Sequence, residues 1–146
     1  MIPVVSKRKM PPTRVIIHHS ASTDHPTFDV QQLRKWHTEH NEWPDIGYHY
    51  IIDKINGRYE VITGRMLDET GAHCVGNNAI SIGICCVGNF EVDTPSEEMF
   101  DVLRRLVRSL MATFKIPRGE IYGHRDLWAT ACPGKNFNIN EFVGSL

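Results

Sequence analysis

The sequence predicts one α/β domain built around a mixed β-sheet, and three observations carry that prediction. Short β-rich apolar runs recur along the chain, one pair is joined by a tight-turn dipeptide, and segments of helical period lie between the others. In chain order, Arg14-Val-Ile-Ile-His18 reads as a buried first strand ending in polar residues. Val30, Leu33, Trp36 and His37 repeat at helical spacing, which predicts a helix over Val30–His40 with Thr27 or Asp29 as its cap. Tyr48–Asp53 is a second strand, and Asn56-Gly57 turns it tightly into a third at Arg58–Ile62. Ala79–Val87 is a continuous apolar stretch, the pattern of a central strand covered on both faces. The clearest helix begins at Thr94-Pro95-Ser96-Glu97 and runs to Phe114. Thr94 caps it, Pro95 suits its first turn and Glu97 completes a capping box. Met99, Val102, Leu103, Leu106, Val107 and Leu110 form its apolar stripe. Glu120–Gly123 is a last short strand, and Asn140–Val143 a last short helix.

The chain has 146 residues, of which 41% are hydrophobic and 23% charged, the size and balance of one soluble domain with one core. A formal net charge of −1 excludes a general nucleic-acid binder, which needs a basic excess. The one basic cluster, Lys7-Arg8-Lys9 before Pro11-Pro12, reads as part of a flexible arm over residues 1–12, with a single domain over 13–146. The first residues lack the apolar run of a signal peptide, and no stretch approaches membrane-spanning length. The expectation is a monomer made in the cytoplasm, without an integral membrane segment. None of the four cysteines forms a Cys-x-x-Cys pair. Adjacent Cys85 and Cys86 read as small buried hydrophobes on opposite faces of a strand.

His18, His124 and Cys132 stand out as metal-ligand candidates. His18 ends the first strand, His124 follows the last, and Cys132 lies in a loop bracketed by Ala131 and Pro133-Gly134. Two imidazoles and a thiolate suit zinc, and three protein ligands leave a fourth position for water. Spacing alone leaves open that these are surface or core residues.

Five stretches in order add to this: Val15-Ile-Ile-His-His-Ser-Ala-Ser22, Gly47-Tyr-His-Tyr50, Gly71-Ala-His73, Ser81-Ile-Gly-Ile84 with Gly88-Asn-Phe90, and Gly123-His-Arg-Asp126 with Thr130-Ala-Cys-Pro-Gly134. Together they resemble the zinc-dependent N-acetylmuramoyl-L-alanine amidases, which include amidase-type phage lysozymes and animal peptidoglycan recognition proteins. The resemblance implies a central mixed sheet flanked by helices, with zinc held by His18, His124 and Cys132 in a surface groove. It implies that residues 13–146 form one zinc amidase domain acting on bacterial peptidoglycan, at the amide between N-acetylmuramic acid and L-alanine. Tyr48 matches the family tyrosine beside the reacting water, and its phenol can hydrogen-bond the developing oxyanion. Thr130 stands where some phage enzymes have lysine and takes a helping role as a hydrogen-bond donor. Another branch of the family has aspartate in place of Cys132 and a glutamate in the central strand; Ile84-Cys85-Cys86 carries no carboxylate, so the chain resembles the cysteine branch.

His73 either lines the groove and binds substrate or is a structural histidine. Trp128 is the best candidate for a sugar-stacking surface, ahead of Trp36 and Trp43. His19 is expected to point away from the metal, His49 to face the opposite side of its strand from Tyr48 as a structural residue, and His25, His37 and His40 carry no catalytic assignment. Recognition proteins have a Gly-Trp pair where this chain has Met66-Leu67, so no peptide type is chosen. Size and the absence of a wall-binding segment suit an endolysin that reaches the cell wall through a separate membrane pore, and equally an effector delivered by a secretion machine. The alternatives are a noncatalytic peptidoglycan-binding module and an interaction protein, since a phage member of the family also inhibits a viral RNA polymerase. In that last reading the basic cluster would dock the regulatory partner. No His-Glu-x-x-His is present to indicate an unrelated zinc peptidase.

Overall fold

The computed structural model describes residues 5–22, 34–40 and 46–146. Its centre is a five-stranded mixed sheet in the order β3-β2-β4-β1-β5. The strands are β1 (Arg14–His19), β2 (Tyr50–Ile55), β3 (Arg58–Thr63), β4 (Ser81–Cys86) and β5 (Ile121–Gly123). β1 runs parallel to both β4 and β5, and β2 runs parallel to β4. Only the β2–β3 hairpin is antiparallel, turning at Asn56 (φ 52°) and Gly57 (φ 80°), the paired positive φ angles that Asn-Gly supplies in a two-residue turn.

Alternation along the strands divides the side chains between two faces. Val15 and Ile17 of β1, Ile52 of β2 and Ile82, Ile84 and Cys86 of β4 join one large apolar cluster. Met99, Leu103, Val107 and Leu110 of α1 (Glu97–Phe114) cover that face, with Phe137, Ile139 and Phe142 from the C-terminal segment and α2 (Ile139–Gly144). Ile46, Ile51, Cys85 and Val87 form a second, smaller cluster. Cys85 and Cys86 thus face opposite ways, as strand geometry requires.

Three details differ from the sequence reading. Ser96, not Thr94, caps α1: its Oγ accepts the Met99 N–H at 3.1 Å, and the helix starts at Glu97. Two capping-competent residues flank Pro95, and Ser96 prevails with a further bond from its hydroxyl to Tyr59 Oη at 3.1 Å, while Pro95 is buried outside the helix. The segment read as a free arm is tied to the domain at its basic cluster. Lys7 bridges Glu69 in antiparallel pairing, and Arg8 donates from Nε to Leu67 O (2.6 Å) and from Nη2 to Ser81 O (2.7 Å). Sequence patterning misses this because the partners are backbone carbonyls distant along the chain. Of the helix expected over Val30–His40, residues 34 and 35 are helical and Trp36–His40 form a π-helical turn. Residues 30–33, with Thr27, Asp29, His25 and Trp43, lie outside the described residues, as do the side chains of Trp36 and His40.

Candidate metal centre and groove

Parallel pairing of β1 with β5 sets Ile17 opposite Gly123, so the next residues, His18 and His124, emerge side by side at the carboxyl ends of neighbouring strands. That is where open α/β sheets place their binding sites. The two imidazole centroids lie 4.5 Å apart. Cys132 Sγ comes to 3.7 Å from His18 Nδ1 and accepts the His19 N–H at 3.4 Å. One donor atom from each of His18, His124 and Cys132 lies within 4.8 Å of the others, and no other such group of ligating side chains occurs among the described residues.

The loop carrying Cys132 is held by residues that follow His124. Asp126 accepts the Gly123 N–H (2.8 Å), closing a tight turn over His124–Asp126. Arg125 donates its backbone N–H to Cys132 O (2.8 Å) and its guanidinium to Gly134 O and Phe137 O, both at 2.6 Å. The Gly-His-Arg-Asp run therefore supplies one candidate ligand and the clamps for another.

Electrostatics suit a cation. Burial, then the neighbouring His73, His124 and His19, hold the His18 pKa well below the ordinary imidazole value, and burial lowers that of His124. Both rings are therefore neutral near pH 7, with lone pairs to offer. Burial pushes the Cys132 thiol up to about 11, against the His19 N–H bond that favours the thiolate, so ligation requires loss of its proton. Two neutral nitrogens and one sulfur form a donor set that suits zinc and leaves a position open.

The three candidates open onto a groove of about 500 Å³ that Tyr48, His73 and Thr130 also line. Tyr48 precedes β2 and stands 5.1 Å from His18 and 5.3 Å from His37, ring to ring. Burial, followed by the nearby Cys85 and Cys132 thiols, raises its pKa well above the usual phenol value, so it remains a donor. Thr130 Oγ1 accepts the Cys132 N–H at 3.3 Å. His73 lies edge-on to His18, with Nδ1 2.9 Å from His18 Nε2. Trp128 is not brought into the groove wall: it is 49% exposed, in the turn where its N–H bonds His124 O. His49 is buried, accepting the Gly83 N–H at Nδ1 (3.0 Å), and the His19 ring accepts the Phe90 N–H (3.1 Å) while still lining the groove. Asn89 and Glu91 also line the groove, and the sequence reading did not single them out. Gly88-Asn89-Phe90, part of a longer motif, was the only signal for Asn89, and Glu91 had none.

A profile for N-acetylmuramoyl-L-alanine amidases matches residues 8–135. The chain belongs to that family. Among its relatives is the endolysin of Enterobacteria phage K11, 30% identical over 148 residues, covering 98% of this chain and 93% of the phage protein. Peptidoglycan-recognition protein SC1a of Drosophila melanogaster is 35% identical over 135 residues, covering 88% of this chain and 71% of its own length. The solved structure of the N-acetylmuramoyl-L-alanine amidase LysC from Clostridium intestinale superposes with a TM-score of 0.86 at 28% identity, covering 99% of this chain and 90% of that one. The fold is therefore that of the solved amidase structures. Met66 is exposed and Leu67 half-buried, with Arg8 bonded to the Leu67 carbonyl.

Proposed function

We propose that the chain is a zinc-dependent N-acetylmuramoyl-L-alanine amidase that cuts the amide between N-acetylmuramic acid and L-alanine, serving as an endolysin. The observation that carries this reading is the convergence of His18, His124 and Cys132 donor atoms within 4.8 Å at one side of an open groove. His18, His124 and Cys132 would hold the metal. Zinc in such a site supplies Lewis-acid chemistry, making water acidic enough to attack near neutrality and polarising the scissile carbonyl.

The remaining work falls to the groove. Tyr48, kept protonated by its surroundings, donates to the oxygen that gains charge as the amide carbon becomes tetrahedral. Thr130 uses a lone pair for the Cys132 N–H, which leaves its hydroxyl proton for the same oxygen. Both groups are set before the reaction begins, the condition under which such donors are most effective. Trp128 offers an exposed ring to sugar beyond the groove wall. The protein is made in the cytoplasm and acts as a monomer on the cell wall.

Release of free amino termini from purified peptidoglycan tests the reading. The expected result is liberation of L-alanine-led peptides that chelator abolishes, zinc restores and Cys132→Ala lacks. Tight wall binding without release would instead identify a noncatalytic recognition module and remove the roles given to Tyr48 and Thr130.

A further inference from the structure

A line of side chains runs from His18 across the sheet face and ends on a group that can only accept. His18 Nε2 is 2.9 Å from His73 Nδ1, His73 Nε2 is 3.2 Å from Ser81 Oγ, and Ser81 Oγ donates to Asn77 O at 2.7 Å. Proton positions follow from the far end inward. The Asn77 carbonyl carries no hydrogen, so it takes the one hydroxyl proton of Ser81. Ser81 Oγ then accepts, and His73 Nε2 must donate to it. With its ring proton there, a neutral His73 presents a lone pair at Nδ1, which accepts from His18 Nε2–H. His18 is thereby left unprotonated at Nδ1, the nitrogen 3.7 Å from Cys132 Sγ.

The fold keeps His73 in this place. Its backbone N–H and that of Cys74 both bond to Asn78 Oδ1, at 2.8 and 2.9 Å. Its ring fills a slot that glycine leaves open: a Cβ at Gly83 would lie 2.6 Å from His73 Cγ, and one at Gly71 would lie 2.6 Å from Cδ2. Both of its ring nitrogens are thus engaged inside the protein.

We propose that His73 is a positioning residue that, anchored through Ser81 to the Asn77 carbonyl, fixes the tautomer and ring orientation of His18 and so raises the metal affinity of the site. The proposal rests on the zinc reading above. Outer partners of ligating histidines commonly act in this way, and their loss costs about 10–100-fold in metal affinity.

Zinc affinity, measured by competition with a chromophoric chelator, tests it without reference to catalysis. His73→Leu is expected to weaken zinc binding by about 10–100-fold. His73→Asn, whose Oδ1 can accept from His18 Nε2–H, should recover most of that loss, and Ser81→Ala should weaken binding less than His73→Leu. Equal zinc affinity in the wild type and a folded His73→Leu overturns the proposal alone. A wild type that binds no zinc overturns the metal reading with it. Should His73→Leu fail to fold, nitrogen NMR of the metal-free wild type decides: protonation of His18 at Nε2 supports the relay, and protonation at Nδ1 overturns it.

Discussion

The two faces of the central sheet are made from alternate residues of the same strands and differ in almost everything else. On the α1 face, Val15, Ile17, Ile82 and Ile84 meet Met99, Leu103 and Val107 in an apolar layer. On the other face the same strands present His18, Ser81, Gly83 and Cys85, with His49 and Tyr48 just before β2. Burial is nearly as complete there, yet beside the small apolar cluster of Ile46, Ile51, Cys85 and Val87 the contacts are hydrogen bonds between imidazoles, hydroxyl and backbone. One face holds the sheet flat against its helix, and the other holds polar groups at fixed positions. The comparison teaches that stability and chemistry are separated here by a single residue step along a strand.

Substitutions on each face should therefore fail differently. Leu103→Ala, on the fully buried stripe of α1, is expected to lower unfolding free energy by about 2–5 kcal/mol, read by denaturant titration, while activity per folded molecule and zinc affinity stay unchanged. A loss of zinc affinity in that variant would break the separation. The polar face should carry most of the acid sensitivity. Burial pushes His49 and His37 down to about 4, below the ordinary value near 6.5. Each takes up a proton in the unfolded chain at higher pH than in the folded one, so their contribution is complete above about pH 6.5 and is lost as pH falls towards 4. At about 1.4 kcal/mol per unit, His49 alone accounts for roughly 3 kcal/mol, and His49→Gln should flatten the stability profile between those limits.

Smaller effects sharpen the contrast. On its proposed role, Tyr48→Phe should reduce peptide release by about 100-fold, equivalent to about 2.7 kcal/mol of transition-state stabilisation, with zinc affinity and thermal midpoint close to wild type. An equal drop in stability would make Tyr48 a packing residue. At the other end, Ser96→Ala should cost about 1 kcal/mol of stability through its lost cap and leave activity untouched, whereas Thr94→Ala should change neither.

Legibility in the sequence follows the same division. The α1 face was readable from periodicity alone, because an apolar stripe and alternating strands are local patterns. The convergence of His18, His124 and Cys132 was readable only from motifs taken together, since their proximity depends on which strands pair. The His73–Ser81–Asn77 line was not readable, because each link depends on a ring orientation and on empty volume at Gly83. Arg8 was missed for a related reason: three of its side-chain partners are main-chain carbonyls of Leu67, Ala79 and Ser81, which residue type does not mark. Ser96 over Thr94 turned on one extra contact, with Tyr59.

β5 is only three residues long, lies at the edge of the sheet and pairs with β1 alone. Of the candidate ligands, His18 belongs to β1, while His124 and Cys132 lie beyond β5. A bound ion would therefore span the outermost seam of the sheet, and fraying of that edge would separate His18 from both of its co-ligands at once. Occupancy and seam closure become one linked equilibrium, in which free ion draws the frayed edge shut by an amount that grows with the logarithm of its concentration over Kd.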